Sequence, residues 1–86
     1  MELSDTTQDA PTRVIIKALN RENAMHTRTV ATSYDFGLAE VEEEISDAFT
    51  QNSFIVLPVV STEALGGVSH LYLNIQDLVS IEVIAV

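Results

Sequence analysis

One stretch of the chain, Gly37 to Gln51, carries apolar residues at helical spacing, and the other patterned segments read as strand. Leu38, Val41, Ile45, Ala48 and Phe49 fall on one stripe, while Glu40, Glu43, Glu44 and Asp47 project from the opposite side with Glu42 at its flank. Ser33, Asp35 or Gly37 can cap this helix. With Gly37 in that role, Phe36 staples onto Val41, and Glu40 lies in the first turn near the positive end of the dipole. No Lys or Arg stands at i+4 to offset the carboxylates, so the helix must draw its stability from packing. A lone amphipathic helix among strands buries its stripe on a sheet. The expected fold is therefore α+β: one helix on a small antiparallel or mixed sheet of about five strands, in the order β-β-α-β-β-β.

The strands are read from alternation and from the turn formers between them. Val14, Ile16 and Ala18 alternate with Arg13, Ile15, Lys17 and Leu19; the cluster Asn20-Arg21-Glu22-Asn23 then reads as a turn, and a second strand follows over about 24–32. A four-residue loop places Lys17 opposite His26 and Ile15 opposite Arg28. The core face is then Val14, Ile16, Ala18, Met25, Thr27 and Thr29, and the wet face Arg13, Lys17, His26 and Arg28. Residues 53–61 are apolar on both faces, as in a buried strand, and Pro58 places that position at an edge or a bulge. After a loop over 62–67, residues 68–74 and 78–86 are expected to form a second hairpin around Ile75-Gln76-Asp77. An odd-length loop sets Leu71 and Leu73 with Val79, Ile81 and Val83 on one side. It sets His70, Tyr72 and Asn74 with Ser80 and Glu82 on the other.

Charge is distributed unevenly. Arg13, Lys17, Arg21 and Arg28 are the only basic residues, and Glu2, Asp5, Asp9 and Glu22 balance them; the formal charge of −9 comes from the chain beyond Arg28. Such a surface repels phosphate backbones, so no direct nucleic-acid binding is expected, whereas a basic protein partner is compatible with it. Residues 1–11 are polar, acidic and aperiodic and read as a flexible tail, leaving 12–86 as a single domain. With 47% apolar residues the chain is rich enough to fold, but at 86 residues its core is small, and with no cysteine no disulfide can reinforce it. No membrane partner is expected: the longest apolar run is Phe54–Val60, and a span takes about 20 residues. The acidic start of the chain does not resemble a secretory signal, so the expected location is cytoplasmic.

Residues able to do chemistry are few. His26 and His70 are the histidines, and in the expected second hairpin His70 lies across from Glu82, an ordinary cross-strand contact. Ser69 precedes His70, but neighbours in a strand point to opposite faces. Glu42, Glu43 and Glu44 fan out over roughly 200° of a helix and cannot converge on one ion. Gly66-Gly67 lacks the Lys and Ser/Thr of a phosphate loop and reads as a turn. No catalytic residue, metal site or cofactor is assigned.

What a single helix leaves unexplained is the apolar surplus. Phe54, Val56, Val60, Leu78, Ile84 and Val86 are left over once the opposite faces of their strands are buried, and form a candidate self-association surface. The expected function is a non-enzymatic protein–protein interaction or assembly module, with itself or another protein as partner. The alternative is a small acidic inhibitor of the phage or mobile-element counter-defence type. It would use Glu40, Glu43, Glu44 and Asp47 to imitate nucleic acid in a basic cleft. An enzyme ranks third, and needs a concave pocket holding His70, Tyr72 and Glu82.

Overall fold

The computed structural model describes residues 13–63 and 65–86, so the tail expected over 1–11 lies outside the described residues. The fold is α+β: β1 (Val14–Asn20), β2 (Met25–Thr29), α1 (Leu38–Gln51), β3 (Phe54–Val60), β4 (Val68–Asn74), a 3-10 turn (Ile75–Asp77) and β5 (Leu78–Ala85). The order β-β-α-β-β-β is the one the sequence predicts. Every strand pair is antiparallel, in a three-stranded sheet β2-β1-β5 and a two-stranded sheet β3-β4. A thin link joins the sheets beyond β2. Val30 bridges Val59, and the Ala31 N–H donates to the Pro58 carbonyl at 2.9 Å.

The first hairpin forms in a different register from the expected one. Asn23 adopts a left-handed conformation (φ 67°), and the Asn20 carboxamide Oδ1 accepts from the Glu22 and Ala24 N–H groups. The Asn20 N–H reaches the Ala24 carbonyl at 3.0 Å, so the loop proper is Arg21–Asn23, one residue shorter than a four-residue turn. An odd-length loop shifts the pairing by one residue: Lys17 lies opposite Thr27 and Ile16 opposite Arg28. His26 and Arg28 therefore share the face of Val14, Ile16 and Ala18, while Met25, Thr27 and Thr29 share the outer face with Ile15, Lys17 and Leu19.

The expected second hairpin does not form. β4 turns back onto β3 and β5 pairs with β1, so the 3-10 turn carries the chain from one sheet to the other. Asn74 Oδ1 caps that turn by accepting from the Gln76 N–H, and the Asp77 carbonyl accepts from the Arg21 N–H at 2.8 Å, which starts β5 beside the first hairpin. The pairing satisfies β1, whose inward residues Val14, Ile16 and Ala18 are fully buried and need a strand on each side. His70 thus faces Pro58 across the ladder, and Glu82 faces Lys17; the expected His70–Glu82 contact is absent. A bulge opposite Leu19–Asn20 also reverses the start of β5. Leu78 packs against the core, and Val79, expected inside, is 62% exposed.

One core collects Val14, Ile16 and Ala18 from β1, Val30 just after β2, Val41 and Ala48 from α1, Ile55, Leu57 and Val59 from β3, and Leu73 from β4. The helix lies on β3. Gly37 is its N-cap, and Glu40 Oε1 accepts from the Gly37 N–H at 2.8 Å, the carboxylate half of a capping box. Of the expected stripe, Val41 and Ala48 are buried, Leu38 and Ile45 half-buried, and Phe49, at the stripe's margin, is 50% exposed. Ile45→Ala should therefore cost no more than about 2 kcal/mol, below the ~2–5 kcal/mol of a fully enclosed isoleucine. A urea titration comparing it with the parent chain measures this directly.

Candidate functional site

Antiparallel pairing of β3 and β4 builds an outer face, bordered at one end by a groove in which Phe54 and Tyr72 meet Asn20 and His26 of the first hairpin. Side chains of residues 55, 57 and 59 point into the core, so by the period of two the even-numbered residues point outward. The cross-strand rows on that outer face are Phe54–Asn74, Val56–Tyr72, Pro58–His70 and Val60–Val68. Phe54, Val60, Val68 and Tyr72 are all exposed, Tyr72 at 64%. Val56 and Pro58, in the middle of the strand, are half-buried by their neighbours. The result is a contiguous apolar and aromatic surface with one histidine and one asparagine on it and no formal charge.

Phe54, Val56 and Val60 of the expected self-association surface share this face. Ile84 lies elsewhere, on the outer face of the three-stranded sheet opposite Ile15, beside a mixed row in which Lys17 stands between Thr27 and Glu82. Val86, 73% exposed, ends that sheet by donating its N–H to the Arg13 carbonyl. Leu78 is turned inward by the bulge and does not contribute. Val68 and Tyr72 belong to the surface although their sequence pattern grouped Tyr72 with polar neighbours. The signal that finds them is the alternation in β4, once β3 is known to be its partner.

Pro58 shows how the sheet ends. The Ser61 N–H donates to the Gly67 carbonyl, so in this register the hydrogen-bonded pairs recur at Val59–Ser69, Leu57–Leu71 and Ile55–Leu73. Pro58 and His70 form a non-hydrogen-bonded pair, and the missing N–H of Pro58 costs no bond in the β3–β4 ladder. By the same alternation the backbone groups of Val68, His70, Tyr72 and Asn74 point away from β3, along the open side of β4.

The chemistry-bearing residues remain dispersed. A groove of about 210 Å³ at the ends of the strands is lined by His26, Phe54, Tyr72 and Asp77 among others, but by neither His70 nor Glu82, which lie on strands of different sheets. It is smaller than the ~300–1,000 Å³ usual for small-molecule sites. Among the described residues, no three of the His, Asp and Glu side chains come close enough to hold a metal ion. Of the acidic surface, Glu43, Glu44 and Asp47 are exposed, whereas Glu40 is half-buried at the helix cap. Two of the cations are held by backbone: Arg21 Nε donates to the Gln76 carbonyl and Arg28 Nη2 to the Val60 carbonyl at 3.2 Å. No helix among the described residues is long and apolar enough to cross a membrane. Comparison of the chain with protein-family models, curated proteins and solved structures finds no match.

Proposed function

We propose that this protein is a non-enzymatic assembly module of the cytoplasm whose copies associate through the β3–β4 sheet. The observation that carries the reading is the uncharged outer face of Phe54, Val56, Val60, Val68 and Tyr72, left open in a domain with a small core. Burying apolar surface is the main driving force of association, and a second copy would also stabilise the fold by mass action. At micromolar concentration, light scattering should return a mass above the 9.4 kDa of one chain. A monomer at every concentration would refute the reading.

The acidic-inhibitor alternative places the binding energy on α1 instead, and the two part company in salt. A carboxylate row binding a basic cleft weakens steeply as ions screen it, while an apolar contact does not. Changing Glu40, Glu43 and Glu44 to Gln and Asp47 to Asn should leave the assembly intact. Raising salt from about 0.1 to about 0.5 M, which shortens the screening length from about 10 to about 4 Å, should shift its midpoint little. Dissociation under both treatments would favour the carboxylate face. Glu40→Gln also weakens the cap at Gly37, so a variant retaining Glu40 should accompany the quadruple change.

A further inference from the structure

We propose that two copies join edge to edge, β4 against β4′, in an antiparallel seam that extends β3-β4 into a continuous four-stranded sheet. The inference rests on the self-association reading and specifies its geometry. Natural sheets blunt their edges with charges, prolines or bulges, because an unblunted edge is a template for another strand. Here β5 carries a bulge at Val79 and a carboxylate at Glu82, and β2 passes its outer edge to β3 through Ala31. Among the described residues β4 has none of these devices: Val68–Asn74 is seven residues long, contains no Pro, Asp, Glu, Lys or Arg, and pairs with β3 without a register shift.

Charge selects the occupant. A basic segment would find no carboxylate along β4 to attract it, and a chain of net charge −9 can approach its own copy only where neither carries charge. β4 is such a strand. It is also self-complementary under a two-fold axis through Leu71, which sets Leu71 beside Leu71′, His70 beside Tyr72′ and Val68 beside Asn74′. In this register all outward backbone groups of residues 68, 70, 72 and 74 meet partners, and every side chain keeps its face.

Two experiments test the seam without touching the core. His70→Pro removes an N–H that points away from β3, and it stands opposite Pro58, where the same sheet already accepts a proline. It should preserve the circular dichroism spectrum and abolish the dimer, at least a tenfold rise in dissociation constant. The register is read by mixing His70→Cys with Tyr72→Cys chains under mild oxidation. Facing positions in the seam are about 5.5 Å apart between Cα atoms, within disulfide reach, whereas His70 and its own copy are roughly 8–9 Å apart and beyond it. Mixed cross-links should therefore outnumber either homotypic product. A His70→Pro chain that still dimerises, or cross-links without this preference, would overturn the seam. Persistent dimer in that variant with loss in Val60→Glu would leave self-association standing but assign it to the face. A monomeric parent in which the outward amides of Val68, His70, Tyr72 and Asn74 resist hydrogen exchange would place another segment of the same chain on the edge. That result would refute both the seam and the self-association reading.

Discussion

Leu57→Ala is expected to cost about 2–5 kcal/mol of folding stability, a large share of what a domain of this length has. Leu57 has no exposed surface, sits at the middle of β3 and belongs to the one core that serves both sheets and the helix. Removing its isobutyl group forfeits the transfer energy of the buried carbons and opens a cavity that strands on a common ladder cannot collapse around. A domain of this length has on the order of 4–13 kcal/mol in total. Half-exposed Phe49 supplies the control: despite a larger side chain, Phe49→Ala should cost less than Leu57→Ala. Urea unfolding followed by circular dichroism ranks the two, and the reverse ranking would mean that the helix buries its margin against something outside the described residues.

A glutamate at position 59 and one at position 60 should have opposite consequences for folding. Val59 is 0% exposed and Val60 46%, although they are consecutive in β3. Val59→Glu forces a carboxylate into a fully buried apolar position, and burying a charge is among the few changes that cost more than about 4 kcal/mol. That chain should be unfolded or insoluble. Val60→Glu points into solvent on the outer face, so the monomer should keep its spectrum and melting behaviour within about 0.5 kcal/mol. In a face-to-face contact it would add a charge that must be desolvated and break the assembly, whereas in the β4 seam position 60 lies a strand away from the contact and the assembly should persist. Light scattering and thermal melts on both variants separate the two effects. Val60→Glu that remains assembled would remove Val60 from the interface.

The contrast explains how far the sequence could be read. Element type and span are local properties, so the period of 3.6 over 38–51 and the alternation in 14–18 led directly to α1 and β1. Outward and inward residues within β3 and β4 were legible for the same reason. Pairing is not local. Residues 68–74 and 78–86 are apolar enough to satisfy each other, and only the need of β1 for a neighbour on its far side sends β5 there. The turn at Asn20–Asn23 shows a finer limit: whether Asn23 enters the left-handed region decides one residue of register, and with it which face of the sheet carries His26 and Arg28. The candidate surface suffered accordingly. Its three β3 members were found by alternation alone, whereas Tyr72 and Val68 needed the β3–β4 ladder, and Leu78 was misplaced by a bulge that leaves no mark in residue type.

The pairing of β1 with β5 also dictates when the domain can exist during synthesis. The first hairpin is a local product, and so are α1 and the β3–β4 ladder, each closing loops of a few residues. β1 is different: Val14 meets Ala85, and Ile16 meets Val83, across almost the whole described chain. Bringing such distant segments together carries the largest loop-closure entropy in the fold and slows folding accordingly. Until β5 has left the ribosome, the central strand is an edge with its odd-numbered backbone groups unpaired. Without β5, the hairpin and the helix-bearing ladder share only part of a core. The core closes only when β5 docks, so its completion waits on the strand most distant from β1 in the described sequence.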